Sequence, residues 1–317
     1  MNNQLIDVLA RCENVYRHKN LWKARAYKKA QETLFVFPEQ ITDINVLRDA
    51  SGIGKTIFSV LQRFVKYGRV ELEDGIVIDP SINVEPTLLD IFTGVYGVGP
   101  KKAQELINAG VTSIEDLRLK QNELLNSTQR IGLRYYDDIL LRIPRSEILL
   151  YKDYYLRFMK KHNLTGEIVG SFRRGAQQSG DIDVILTSDI TTSFPNFIKS
   201  LSDDGHLLNI LVQGSSKCLV IARIGDGCPA RRVDFLFTDP KQYAFALLYF
   251  TGSKSFNTAM RAHALKLGYS MNEHTIKGAL PTGGLEFHTE KDIFDFLGLQ
   301  FVKPENRIDG SAIRTLQ

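Results

Sequence analysis

Cysteine is scarce: Cys12, Cys218 and Cys228 make an odd number, with no Cys-x-x-Cys pair among them. That excludes a disulfide framework and a cysteine-ligated zinc site, and it suits a reducing intracellular compartment. Long apolar runs are missing too, and no stretch approaches the roughly 20 residues a membrane-spanning helix needs. The start, MNNQLIDVLARCEN, lacks a basic region followed by an apolar block, so no secretory leader is expected. Low-complexity sequence is absent. What is present is ordinary globular material: 317 residues, 43% hydrophobic and 24% charged, long enough for two or three domains. The formal charge of +4 is unevenly spread, because residues 1–70 hold 12 Lys and Arg against 6 Asp and Glu. Segment 11–29 has seven basic residues and one acid, with Tyr16, Trp22 and Tyr27 interleaved. Such a face suits a phosphate backbone, although a solvated helix face would read the same way.

Periodicity divides the chain. Leu5, Val8, Leu9, Cys12 and Val15 recur at helical spacing, as do Leu21, Ala24, Tyr27, Ala30 and Leu34, before Pro38 breaks the pattern. The acidic, turn-rich stretch 71–86 reads as a linker. Helical spacing returns from Leu88 to Leu141, and Ile143-Pro144 marks a second boundary. Short β-branched runs at 168–169, 181–186, 218–222 and 233–237 read as strands of one sheet, with helices over 146–162 and 194–202. Further helices are expected across 241–249 and 256–267.

A short repeat carries more information. Ser51-Gly52-Ile53-Gly54 and Tyr96-Gly97-Val98-Gly99 each lie between helical patterns, and lysine follows both. Paired glycines allow a tight reversal and leave backbone N–H groups open to a phosphate, the pattern of a helix-hairpin-helix DNA-binding motif. Gly54-Lys55-Thr56 also matches the end of a P-loop, but that motif needs glycine where Asp49 stands and a strand where the pattern is helical.

The strongest constellation is Val169-Gly170-Ser171 followed by Asp181-Ile182-Asp183-Val184. Strand alternation puts Asp181 and Asp183 on one face, and Asp234 lies in a later apolar strand, Arg231–Phe237. Three strand-borne carboxylates suit two Mg²⁺ ions about 4 Å apart, one activating a hydroxyl and one neutralising a triphosphate. Gly170-Ser171, Arg173, Arg174 and Gly180 surround them with groups that can meet phosphate oxygens. Lys254, Asn257 and Arg261 share a helix face that could follow a minor groove.

The segments GSFRRGAQQSGDIDVIL, RRVDFLF and YFTGSKSFNTAMRAHALKLGY resemble those of a family X DNA polymerase of the beta type, and the resemblance runs from about Trp22 to the C-terminus. It implies an α+β multidomain chain. An N-terminal helical, lyase-like domain (1–78) would carry the first hairpin, and a helical DNA-binding domain (79–143) the second. A nucleotidyltransferase palm with a mixed β-sheet (144–243) and a small α/β nucleotide-selection domain (244–317) would follow. By matching position, Asp181 and Asp183 would bind both metals and Asp234 the catalytic one. Arg142, Ser171, Arg174 and Gly180 would contact the incoming triphosphate. Tyr249, Phe250 and Gly252 would crowd the sugar 2′ position, with Asn257 at the incoming base and Arg261 at the template. Arg232 and the hairpin glycines Gly52, Gly54, Gly97 and Gly99 would meet DNA. Carbonyls of Arg48, Ala50 and Ile53, and of Thr93, Val95 and Val98, would hold a monovalent cation, Na⁺ or K⁺. Lys254 stands where beta-type members carry aspartate.

The resemblance further implies a gap-filling repair polymerase that acts on gapped or nicked double-stranded DNA with dNTPs. It would be a monomer that works away from membranes, with ligase and other repair proteins as possible partners. Nucleus, cytoplasm and a viral replication compartment all remain open. The family's lyase nucleophile is replaced by Val60, which cannot form an imine, so lyase activity is expected to be weak or absent. Lys23 matches a helper lysine and Tyr27 its tyrosine partner, and Lys23 or Lys55 could take over the reaction. The interval from Asp183 to Asp234 has no long inserted loop, which argues against template-independent synthesis. With no further domain expected before residue 1 or after residue 317, the chain reads as a minimal form. Two alternatives share part of this pattern: an RNA-tailing nucleotidyltransferase, disfavoured by the hairpins and the Tyr-Phe-x-Gly segment, and a non-catalytic gap binder, disfavoured by the three aspartates.

Overall fold

The structure is a computed structural model that describes residues 2–17, 19–35, 37, 40–50, 52–81, 86–278, 285–307 and 309–316. Pro38, Ser51 of the first hairpin, and 82–85 of the expected linker lie outside the described residues. The architecture is α+β and multidomain, and its elements form two compact units. Met1–Val84, Gly252–Leu285 and Lys291–Gln317 make the first, and Glu85–Thr251 with Glu286–Glu290 the second. Among the described residues no helix is long and apolar enough to cross a membrane.

In the first unit, apolar side chains three and four apart set the helices. Helix α1 (Asn2–Tyr16) buries Leu5, Val8, Leu9 and Cys12, and α2 (Leu21–Phe35) buries Ala24, Tyr27, Ala30 and Leu34. Helix α3 (Lys55–Tyr67) adds Ile57, Phe58, Val60 and Leu61 to the same core. The linker expected over 71–86 needs correction in its first half. Val70–Glu71 pairs antiparallel with Val77–Ile78, and Val70, Leu72 and Ile78 are buried. Glu73 and Asp74, two of the acids that suggested a linker, occupy the hairpin's exposed turn, while neighbouring residues reach inward. The helix Lys254–Lys266 packs on α2, and Gly310 sits between the Phe35 carbonyl and Ala259 of that helix. Arg307 is fully buried among the rings of Phe256, Phe294 and Phe301, its Nε donating to the Val302 carbonyl at 2.9 Å.

The second unit opens with short helices (Leu88–Thr93, Pro100–Asn108, Ile114–Leu119, Gln121–Leu124, Ser127–Arg134, Tyr136–Leu140) around Phe92, Leu106, Leu117 and Leu133. Thr87, Ser113 and Asn126 divide them by capping the backbone at each start. A mixed sheet follows: β1 (Thr165–Ile168), β2 (Ile182–Thr187), β3 (Leu207–Gln213), β4 (Lys217–Ala222) and β5 (Arg231–Thr238), in spatial order β1-β2-β5-β4-β3. Only the β2–β5 pair in this sheet is parallel. Helices Arg145–Lys161 and Ser193–Asp203 cover one face, packing Tyr151, Tyr155 and Phe197 on Val184, Val220 and Phe235. On the other face the helix Tyr243–Thr251 covers Ile185 through Ala246 and Leu247. Asp183 and Asp234 project from that same face, just beyond the apolar cover. Two local readings differ from the sequence pattern. Val169 caps a single helical turn, Gly170–Arg173, instead of extending β1. Strand β3 was not foreseen, because LLNILVQ does not alternate and two register shifts interrupt its pairing with β4.

Candidate active site

The parallel β2–β5 register sets Asp183 directly opposite Asp234. Asp181 comes one residue before β2. Arg232, two residues before Asp234, donates through Nη2 to Asp181 Oδ2, and its Nε lies 3.5 Å from Asp234 Oδ1. Asp234 Oδ1 is buried without a hydrogen-bond partner. Burial, and then the charges of Asp181 and Asp234, push the Asp183 carboxyl up to about 7, against the pull of Arg232 and Lys217. Burial likewise raises Asp234, opposed first by Arg232. The site therefore holds more buried negative charge than its cations satisfy. Its donors are all oxygen, one of them orphaned, and that set fits a hard divalent cation. Among the described residues no three His, Cys, Asp or Glu side chains gather closely enough to grip a metal as they stand, and Asp181 is engaged by Arg232.

Groups suited to phosphate lie alongside. Gly170 adopts a left-handed φ of 63°, and a Cβ there would stand 3.2 Å from Asp183 Oδ2, so glycine lets the backbone lie against the carboxylate. The Ser171 hydroxyl donates to that of Ser179 at 2.8 Å. Pairing of Ile143–Pro144 with Gln178–Ser179 brings in Arg142, whose Nη2 donates to the Gln178 carbonyl at 3.1 Å. Its Nη1 passes over Gly180, where a Cβ would lie 3.2 Å away. Arg174 Nη1 donates to the Thr251 carbonyl at 2.6 Å, at the end of the helix that carries Tyr249 and Phe250. Those two rings meet edge to face at 5.1 Å. Arg173 has a structural task, gripping both Glu290 oxygens at 3.1 and 2.9 Å and Glu167 at 2.6 Å. Gly252, Lys254, Asn257 and Arg261 belong to the first unit. The last three lie on the helix Lys254–Lys266, which the Ser253 side chain caps.

The two hairpins repeat each other in detail. The Ala50 carbonyl accepts from Ile53 N–H at 3.0 Å, and the Val95 carbonyl accepts from Val98 N–H at 3.0 Å. Gly52 and Gly97 take left-handed φ values of 86° and 83°. Gly54 and Gly99 then cap α3 and the helix Pro100–Asn108 without a side-chain hydrogen bond, so no capping side chain covers the amides of Lys55 and Thr56 in the first or of Lys101 and Lys102 in the second, where Pro100 itself has none. Arg48 and Thr93 occupy the approach to each turn.

Three residues near the carboxylates escaped the sequence reading. Lys217 opens β4 and lowers both Asp183 and Asp234. Burial and the charge of Asp234 raise the Tyr96 hydroxyl of the second hairpin. Ser179 is buried against Ser171. Each depends on register or on contacts between distant segments, which no local motif reports.

Four family models match consecutive stretches of the chain: a helix-hairpin-helix domain over 1–70, the fingers domain of DNA polymerase lambda over 90–140, the DNA polymerase beta palm over 142–240 and the DNA polymerase beta thumb over 246–308. Among curated proteins, the chain is 32% identical over 324 residues to DNA polymerase lambda of Rattus norvegicus, covering 95% of this chain and 55% of the relative. It is 28% identical over 335 residues to DNA polymerase lambda of Arabidopsis thaliana, covering 97% of this chain and 62% of that relative. The chain belongs to the family X DNA polymerases, of the beta type. It spans little more than half the length of these relatives.

This family X chain carries a cavity of about 550 Å³ in its first unit, where Val60 lines the wall and is 1% exposed. Lys23 enters the same cavity, but its Nζ is bound to Glu73 Oε2 at 2.7 Å and lies over the Tyr16 ring. The hydrogen bond to Glu73 raises the Lys23 pKa, which keeps the amine protonated. Tyr27 stacks on Tyr16 at 5.8 Å. Lys55 also lines the cavity, and among the described residues it has no ion pair.

Proposed function

We propose that this chain is a DNA-directed DNA polymerase that fills short gaps during base-excision-type repair, transferring the nucleotidyl group of a dNTP to a primer 3′-hydroxyl with release of pyrophosphate. The observation that carries the proposal is the in-register pair Asp183 and Asp234 with its orphaned oxygen, flanked by Asp181. Two divalent ions, Mg²⁺ by preference, held by Asp181 and Asp183, with Asp234 on the catalytic one, would acidify the primer hydroxyl and neutralise charge on the triphosphate. The chain's own residues do the rest. Arg142, Ser171, Arg174 and Gly180 bind and orient the triphosphate, and Gly170 keeps the backbone close to Asp183. Tyr249, Phe250 and Gly252 crowd the 2′ position, so deoxynucleotides are favoured. Asn257 meets the incoming base and Arg261 the template. Gly52, Gly54, Gly97 and Gly99 let the two turns lie close to DNA, whose phosphates meet the uncapped amides of Lys55 and Thr56 and of Lys101 and Lys102, and the carbonyls of Arg48, Ala50, Ile53, Thr93, Val95 and Val98 hold a monovalent cation.

Lyase chemistry is not part of the proposed function. Valine at position 60 forms no imine, and Lys23, one of two lysines lining the cavity, has its amine paired with Glu73, which raises its pKa.

The test is primer extension across a one-nucleotide gap with dNTPs and Mg²⁺. Asp183→Ala is expected to lower extension by about 10³-fold or more; unchanged extension overturns the assignment. Comparable use of ATP and dATP would point to an RNA-tailing enzyme. On a gap carrying a 5′-deoxyribose phosphate, borohydride is expected to trap no adduct while filling proceeds. An adduct that Lys55→Ala removes would mean a relocated nucleophile.

A further inference from the structure

Two neighbouring arginines on β5 are held in opposite ways. Arg231 is 3% exposed, donates to both Glu147 oxygens at 2.7 Å, and bonds the Leu141 carbonyl at 3.0 Å. It is locked. The Arg232 side chain is 31% exposed and reaches two carboxylates at once, and of these it hydrogen-bonds Asp181. Between it and Asp234 the match is poor: Nε and Oδ1 face each other at 3.5 Å, both buried, and neither has a hydrogen-bond partner. Such a contact is Coulombic attraction without a good hydrogen bond, so another cation could replace it at little loss.

The charges around it point the same way. Three carboxylates, Asp181, Asp183 and Asp234, face two cations, Arg232 and Lys217, so without a metal the cluster is negative by a single formal charge. A divalent ion among the carboxylates would make the guanidinium surplus and repel it. We infer that Arg232 stands in for the charge of a divalent cation between Asp181 and Asp234, that the cation displaces it, and that this competition sets how tightly the cation binds. The inference rests on the reading of the three aspartates as metal ligands. Once displaced, the guanidinium is free to meet a DNA phosphate, so cation and DNA binding are coupled through one side chain, and each strengthens the other. Arg232 is thus a positioning residue, acting through the carboxylates it holds.

The test is Mn²⁺ binding to the full, DNA-free chain, followed by the loss of the free-ion signal in electron paramagnetic resonance. Arg232→Met is expected to bind Mn²⁺ tighter by on the order of tenfold, because a competing positive charge has gone. Arg232→Lys keeps the charge and is expected to stay near the wild type. Damage to the fold would weaken binding, so tightening separates the two explanations; Arg232→Gln serves if the methionine variant does not fold. Equal or weaker binding by a folded, uncharged variant overturns the inference alone. If neither the wild type nor the variants bind Mn²⁺, the metal reading falls and the inference falls with it.

Discussion

Gly170 makes the strictest demand of any residue at the site. Its φ of 63° disfavours a side chain, and the space a Cβ would fill already borders Asp183 Oδ2 at 3.2 Å. Gly170→Ala is expected to cost about 1–2 kcal/mol of stability. It should lower extension further than that loss explains, because Asp183 must move; calorimetry and steady-state extension on the same samples check both. His206 gives a prediction remote from the chemistry. It lies among the rings of Tyr151, Tyr154 and Tyr155, with the Tyr155 hydroxyl 3.0 Å from Nε2, and burial pulls its pKa down to about 4. Below pH 6.5 the unfolded chain takes up a proton that the folded chain refuses until about pH 4. Stability from this group is therefore complete above 6.5 and falls across that interval, by about 3 kcal/mol in total. Thermal midpoints from pH 7.5 to 4.5 should fall more steeply in the wild type than in His206→Gln. Asp183, raised by burial, works in the opposite direction, so the comparison must be made at each pH. The sequence made the three aspartates and Gly170-Ser171 legible because residue type and local spacing suffice for them. It could not show Arg232 bound to Asp181, or Lys217 beside the pair, because both depend on strand register.

At the scale of elements, the hairpins and long helices were readable, since glycine spacing and apolar periodicity are local signals. Strand β3 was not. It is the sheet's edge, half exposed and broken by two register shifts, so neither alternation nor a continuous buried run marks it. Its exposure also makes it tolerant. Val212 is 46% exposed, and Val212→Lys is expected to change stability by no more than about 0.5 kcal/mol while guarding the edge against pairing with another chain. Val220→Lys, one strand inward at a fully buried position, should prevent folding. Denaturant titration separates the two outcomes. The acidic turn between Val70–Glu71 and Val77–Ile78 teaches a similar lesson: charge described its tip, while Val70, Leu72 and Ile78 belonged to the core.

At the scale of the molecule, sequence order conceals which segments share a core. The helix Lys254–Lys266 lies on α2, and Gly310 fills the narrow space between the Phe35 carbonyl and Ala259. Gly310→Val would collide with that carbonyl, and a loss of about 1–3 kcal/mol is expected, seen as a lower thermal midpoint. No periodicity could have announced this contact, because it joins the two ends of the chain. The order of strands has a further consequence, in time. The chain lays down β2, moves away through the helix Ser193–Asp203, builds β3 and β4, and only then inserts β5 between β4 and β2. Antiparallel turns can form early, but the parallel closure must wait for the whole intervening segment to be arranged. Asp183 and Asp234 become neighbours at that closing event, so a chain still folding has both carboxylates but not yet a site.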